Sequence, residues 1–341
     1  MKRPSILLIY TGGTIGMIED FESKTLKPFN FQSIENEVPE LKKIKAEIET
    51  ISFKTPIDSS DMDVVAWKKI ALIVKENYEK FDGFVILHGS DTMSYTASAL
   101  SFMLKGINKP VILTGSQLPI GTIRTDGKEN LITAIEIAAA QENGKPILPE
   151  VCIYFEYDLY RGNRTSKVNA EDFEAFRSFN YSPLAEAGVH IKYNKTKIHR
   201  REKEQFEVFT ELEENVAILK LFPGITKKVV QAIFQIDGLK GVVIETYGSG
   251  NASTKKWFLD ELKKAAEKGI ILFNVTQCLA GNVMQGKYDS SSSFNDLGIV
   301  SGKDITTEAA ITKMMYVLAK YKDSKQLKSK LATSLAGEMS K

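Results

Sequence analysis

The sequence predicts an α/β protein of two domains with largely parallel sheets, the N-terminal domain larger than the C-terminal one. Three observations carry that reading. Short runs of β-branched, aromatic and leucine residues recur along the chain without polar alternation, as suits strands covered on both faces. Amphipathic helical patterns separate those runs, which is the grammar of βα units. The length, 341 residues, fits two domains at roughly 150 residues each. The boundaries expected are 1–190 for the first domain, a charged, apolar-poor linker over 191–214, and 215–341 for the second.

The first run, Ile6-Leu7-Leu8-Ile9-Tyr10, ends abruptly in Thr11-Gly12-Gly13-Thr14. A glycine pair directly after a buried strand makes a tight turn and allows close approach to the backbone. It delivers hydroxyls to the carboxyl end of a strand, where open α/β sheets bind ligands. Neither a Walker lysine nor the GxGxxG spacing is present, so a nucleotide reading is weak. Residues 18–32 are polar and aperiodic and read as a loop, a lid over the first turn. Residues 39–49 read as a surface helix and 51–57 as a strand.

Asp58-Ser59-Ser60-Asp61 precedes the helical pattern Trp67, Ile70, Ala71, Val74, Tyr78, and helix capping is its plainest role. After an Asp82-Gly83 turn, the strand at 84–87 ends in His88-Gly89-Ser90-Asp91-Thr92, and a helix stops near Gly106. The strand at 111–113 ends in Thr114-Gly115-Ser116-Gln117, and a helix over 126–143 is closed by Gly144. A strand at 151–155 precedes a polar loop, 161–169, that contains Lys167. The second half repeats the pattern, with strands at 216–221, 242–244 and 270–275 and helices at 226–236, 253–268, 307–321 and 324–335.

Composition excludes several classes. Forty-five basic and 43 acidic residues leave a net charge of +2, which offers no global attraction to nucleic acid or anionic lipid. No apolar run approaches the ~20 residues of a membrane span, and the N-terminal apolar run is too short for a secretory h-region. Two cysteines, Cys152 and Cys278, make no disulfide framework. A cytoplasmic protein is expected. The three histidines, His88, His190 and His199, lack paired-ligand spacing, so no histidine-rich metal site is expected.

The strand ends of the first domain collect Thr11, Thr14, Ser59, Ser60, Ser90, Asp91, Thr92, Ser116 and Gln117. That set is rich in hydroxyls and poor in histidine, so a hydroxyl nucleophile would need another base. Lys167 is the candidate, although a lone lysine in a loop is most often a solvated one. Burial would lower its pKa and a carboxylate such as Asp91 would raise it, so both protonation states stay open.

TGGTIG near the start, DSSDM, HGSDTMSYTASALSFML, TGSQ, RGNRTSK, YGSGNA and NVTQC in this order resemble the bacterial-type L-asparaginase family, specifically its cytoplasmic type I branch, over essentially the whole chain. The resemblance implies a two-domain α/β enzyme that hydrolyses L-asparagine to L-aspartate and ammonia with no metal or organic cofactor. It implies homodimers, often paired into tetramers, with active sites near the interface and no nucleic-acid or membrane partner. By similarity Thr14 is the nucleophile. Ser90, Asp91 and Lys167 match a supporting triad, with Asp91 also receiving the substrate's α-ammonium. Ser59, with Asp58, Ser60 and Ser116, lines the substrate pocket.

This chain departs from the family pattern at four places. Ser90 replaces the usual threonine of HGTDT; the hydroxyl survives and the rotamer-stiffening methyl is lost. Leu26 stands nearest the lid tyrosine of many relatives, leaving Thr25 or water to assist Thr14. Ser166, Asn251 and Cys278 match a regulatory asparagine site of some type I enzymes, but Glu245 stands where an arginine would hold the ligand's carboxylate, so a non-sigmoidal asparagine dependence is expected. Ser60 stands where secreted relatives often carry glutamine, which favours the shorter amide. Two other classes remain in view: an asparagine or aspartate sensor on the same scaffold, and the ammonia-generating subunit of a tRNA amidotransferase. The latter class usually carries an additional N-terminal module, whereas TGGT here begins almost at Met1.

Overall fold

A computed structural model describes residues 3–19, 26–28, 38–199, 204–286 and 289–341. The chain divides into two compact units, Met1–Thr210 and Glu211–Lys341.

The first unit is built on an eight-stranded sheet. Its strands are β1 (Ser5–Tyr10), β2 (Glu47–Ser52), β3 (Gly83–Leu87), β4 (Val111–Thr114), β5 (Val151–Phe155), β6 (Asp158–Arg161), β7 (Ala185–Ala187) and β8 (Ile191–Tyr193), in the order β8-β7-β6-β5-β4-β3-β1-β2. The five strands from β2 to β5 in that order run parallel, and β6 to β8 extend the sheet antiparallel. β1 is buried along its apolar run because both faces are covered: Ile6, Leu8 and Tyr10 join the core beneath α3 (Gly127–Ala139), and Leu7 and Ile9 are buried too. The helices α1 (Val64–Asn77) and α2 (Met93–Met103) supply further cover. β1 is flanked by β2 on one side and β3 on the other, so the strand order reverses there. That switch opens a crevice at the strand's carboxyl end.

The second unit carries a four-stranded parallel sheet of β9 (Val216–Lys220), β10 (Gly241–Thr246), β11 (Ile271–Thr276) and β12 (Val300–Ser301), in that order. Its core gathers Leu219, Val242, Ile244, Phe258, Leu262, Leu272 and Phe294. Helices Lys227–Phe234, Lys256–Glu267, Thr307–Lys320 and Ser324–Ala332 fall within two or three residues of the expected ones, and a short helix, Asp289–Asp296, had no counterpart in the sequence reading. Thr226, Thr306 and Asp323 cap three of these helices through their side chains. No helix among the described residues is long and apolar enough to cross a membrane.

Several local expectations are corrected. Residues 18–32 are not wholly a loop: Met17–Glu19 and Leu26–Pro28 pair as an antiparallel hairpin, with Leu26 opposite Glu19. Thr25 lies outside the described residues. The segment 39–49 is not a helix but a 3₁₀ turn, Pro39–Lys43, leading into β2, an edge strand whose exposed, charged face hides its periodicity. The helix expected over 126–143 ends at Ala139, because Asn143 and Gly144 both adopt positive φ, 54° and 75°, and turn a small hairpin instead. Asp63, not the Asp58–Asp61 group, caps α1. The stretch expected as a linker contributes β8 and the strand Glu207–Val208, which pairs with Leu104–Lys105 in the first unit.

Candidate active site

The site grows from three loops at the carboxyl ends of β1, β3 and β4. Thr11 closes β1 against β3, its amide and hydroxyl both donating to the Leu87 carbonyl at 3.1 and 2.9 Å. Thr11 is therefore a structural residue. Gly13 follows at φ 89°, and a Cβ there would stand 2.5 Å from the Gly89 nitrogen. The first loop thus rests on the second, and Thr14 and Ser90, each one residue further on, are brought to the same crevice. Thr14 is half-buried and opens a 3₁₀ turn, Thr14–Gly16.

Lys167 reaches this crevice from the segment expected as a polar loop, where a lone lysine is most often solvated. That segment is instead mostly buried: Arg161, Asn163, Arg164, Thr165 and Ser166 are all below one tenth exposed. Arg161 is held in a buried ion pair with Glu150 at 2.6 Å, which anchors the stem of the turn. Lys167 forms a short ladder with Phe176 and projects its amine onto two groups at once. Its Nζ donates to Ser90 Oγ at 2.9 Å and to Asp91 Oδ1 at 2.6 Å. Ser90 in turn donates to Gln117 Oε1 at 3.3 Å. Gln117 is fixed at both ends: its side chain donates to the Ala170 and Asp172 carbonyls, and its amide donates to Asp126 Oδ2 at 2.8 Å.

Ser59 is buried against the Gly89 backbone, and its carbonyl accepts from the Thr92 hydroxyl at 2.6 Å. The remaining residues expected to bind substrate are engaged locally. Asp58 Oδ1 accepts from the Ser60 amide and hydroxyl at 2.9 and 2.8 Å, which holds its carboxyl below the usual range. Ser116 is buried and donates to the Leu118 carbonyl at 2.5 Å. Asp126 accepts from the amides of Gln117 and Leu118, yet burial pushes its pKa up. Beyond it Glu156, held at φ 55°, is pushed up to about 7 by burial first and then by Asp126 and other carboxylates.

The sequence reading overlooked His88, Asp126 and Asn130 as parts of this assembly. Asn130 donates to the Gly115 carbonyl and Asp126 and accepts from the Glu156 amide, tying the third loop to the sheet edge. A polar residue at a helical position of otherwise apolar spacing was the trace of it. His88 is fully buried and hydrogen-bonded at both ring nitrogens, and burial lowers its pKa to about 4.

The candidate regulatory residues are divided between the units, Ser166 in the first and Asn251 and Cys278 in the second. Cys278 is exposed. Asn251 closes a bridge to Tyr247. Glu245 is buried, accepts from the Thr307 hydroxyl at 2.6 Å and pairs with Lys220 at 3.1 Å.

A family model for the N-terminal domain of asparaginase matches residues 5–199, and one for the glutaminase/asparaginase C-terminal domain matches 215–331. The chain belongs to the asparaginase family. It is 40% identical to L-asparaginase 1 of Escherichia coli K12, covering 99% of both chains. The crystal structure of L-asparaginase I from Vibrio cholerae superposes with a TM-score of 0.87 at 37% identity, again covering 99% of both chains. A glutamyl-tRNA(Gln) amidotransferase component of Methanopyrus kandleri is 33% identical over 99% of this chain and 75% of its own length.

Proposed function

We propose that this asparaginase works through Thr14 as nucleophile, with the Ser90–Lys167 contact as its proton relay. The protein hydrolyses L-asparagine to L-aspartate and ammonia. The single observation that supports the assignment of roles is Lys167 Nζ lying within hydrogen-bond distance of both Ser90 and Asp91.

In the first half-reaction Thr14 Oγ forms a bond to the side-chain amide carbon and the C–N bond breaks. The threonine proton leaves with ammonia. In the second, water attacks the ester carbon, the bond to Thr14 breaks, and the water's proton returns to Thr14 Oγ. A serine hydroxyl moves protons only if a neighbour can exchange one with it, and the Lys167 ammonium, donating to Ser90 Oγ, is placed to give a proton and then recover it. The exposed carboxylate of Asp91 meets the substrate's α-ammonium, and Ser59 with nearby amides meets its α-carboxylate. The developing oxyanion is stabilised by backbone N–H groups of the glycine turns. Ser60, exposed and small, leaves the pocket fitted to the shorter amide. The enzyme acts in the cytoplasm as a homodimer or homotetramer.

Ammonia release from L-asparagine, with L-glutamine in parallel, tests the reading. Release from asparagine well above glutamine is expected. A rise in melting temperature with asparagine but no ammonia would point to a sensor, and dependence on a partner and charged tRNA to an amidotransferase subunit.

A further inference from the structure

The second unit holds a cavity of about 370 Å³, none of whose lining residues belongs to the crevice described above. It opens between the turn that follows β9, Phe222-Pro223-Gly224, the Tyr247 turn that follows β10, and the start of helix Lys256–Glu267. Its walls are aromatic: Phe222, Tyr247, Trp257 and Phe258 line it, together with the buried Leu221. Phe258 is buried and Trp257 stands edge-on to it with ring centroids 5.7 Å apart, so that wall is held in place without a ligand. Phe222 is 50% exposed, an aromatic ring left half in water beside an apolar hollow. A cavity of this size and lining suits a small molecule, with apolar surface supplying affinity and a few polar groups setting orientation.

The polar groups carry one sign. Lys255 lines the cavity, and no carboxylate pairs with its ammonium among the described residues. The neighbouring Lys256 is by contrast held by Asp260 at 2.7 Å. The helix begins at Lys256 with no side-chain cap, because Ser253 Oγ accepts from the Lys255 amide at 3.3 Å rather than from an amide of the first turn. The first-turn N–H groups add partial positive charge at the same rim. No aspartate or glutamate lines the cavity. A zwitterionic amino acid would find no partner for its ammonium there, and a cation would meet Lys255. Ser166, Asn251, Cys278 and Glu245 do not line it either, so it is not the regulatory asparagine site that the family resemblance brought into view.

We propose that this cavity binds a flat bicyclic aromatic carboxylate, its rings lying against Phe222, Tyr247 and Trp257 and its carboxylate meeting Lys255 at the rim. The rings remove the half-exposed aromatic walls from water. The carboxylate gives Lys255 the charge-assisted hydrogen bond that no side chain of the unit supplies.

The chain has two tryptophans, Trp67 in the first unit and Trp257 in the second. Fluorotryptophan labelling therefore gives one ¹⁹F line for each, assigned with Trp257→Phe. Naphthylacetate is titrated into the full-length protein, with naphthylacetamide and naphthylethylamine as neutral and cationic counterparts, and again in saturating L-aspartate. The Trp257 line should move saturably, with a dissociation constant on the order of 1 mM or tighter. The Trp67 line should stay, and L-aspartate should change neither. The amide should bind about fivefold more weakly, and so should naphthylacetate to Lys255→Met, which loses an exposed charge. Ala252→Leu, which fills the cavity from its wall, should abolish the shift. A Trp257 line unmoved at about 10 mM, a moving Trp67 line, displacement by L-aspartate, or equal affinity for the acid and the amine would each overturn the proposal. None of these readouts involves ammonia release, so the site stands or falls apart from the asparaginase reading.

Discussion

Replacement of Lys167 by methionine separates catalysis from stability. The substitution keeps most of the aliphatic stem and removes the amine. The ion pair it breaks is lopsided, since the Lys167 side chain is 16% exposed but that of Asp91 is 66% exposed. Solvent screens a carboxylate in that position, so the lost pair costs about 1 kcal/mol or less. For a unit of this size that corresponds to a melting shift of about 2–4 °C. The catalytic loss is of another order. Ser90 is left with the Gln117 carbonyl oxygen as acceptor but no amine to exchange protons with. Loss of general acid–base assistance lowers turnover by about 10²- to 10⁴-fold, equivalent to about 3–5 kcal/mol in the barrier. Asp91 remains free to take the α-ammonium, so KM should change by no more than a few fold. Coupled detection of ammonia at saturating asparagine, beside a thermal melt, makes the comparison. Turnover within tenfold of the wild type, or a loss of activity matched by a melting drop beyond about 10 °C, would refute the relay.

Four further outcomes follow from the same geometry. Ser90→Thr restores a β-methyl that narrows the rotamers of the relay hydroxyl and should raise kcat; equal or lower turnover would count against it. Glu338→Gln strands the fully buried ammonium of Lys313, which pairs with Glu338 at 2.7 Å and donates to two carbonyls. Chemical denaturation should show about 3–5 kcal/mol of lost stability, with turnover per folded molecule unchanged. Burial holds His88 at about 4, below its ordinary 6.5, so the unfolded chain takes up a proton that the folded one refuses. The stability this group contributes, about 3 kcal/mol, is present above pH 6.5 and lost as the pH falls towards 4. Glu156 acts in the opposite sense: raised from 4.5 to about 7, it stabilises below its unfolded pKa, and that contribution is lost as the pH rises through 7. Glu156→Gln should therefore steepen the acid loss seen in urea midpoints, and His88→Asn should flatten it. With Glu245 occupied by Lys220 and Thr307, asparagine dependence should be hyperbolic, and a Hill coefficient clearly above one would contradict that.

The legible parts of this chain were those where burial dictates composition. The strands Gly83–Leu87 and Val151–Phe155 are buried throughout, so their apolar runs stand out in the sequence. β2 was blurred because an edge strand carries Glu47 and Glu49 on its exposed face. β7 and β8 are only three residues each, too short for their alternation to show, and β8 is the sheet's other edge. The helix Asp289–Asp296 escaped notice because its serine-rich sequence has low helix propensity. In the site, Ser90, Asp91 and Lys167 were legible through motif order, whereas their contact spans 76 or 77 residues and needed the fold. His88 hid in plain view within HGSDT: the motif places a histidine beside Ser90 and Asp91 of the candidate site, but only burial and the Thr96–Trp67 hydrogen-bond chain reveal that it faces inward. Asp58 and Ser116 show the opposite case, where residues of suitable chemistry are occupied by local hydrogen bonds.

The central claim is that Thr14 is the nucleophile of an asparagine-hydrolysing site, and the most direct measurement is ammonia release from L-asparagine by the wild type and by Thr14→Ala, with L-aspartate binding followed on both. The account predicts release by the wild type, none detectable from the variant, and aspartate binding retained by both. A variant that still releases ammonia at a rate comparable to the wild type would contradict it.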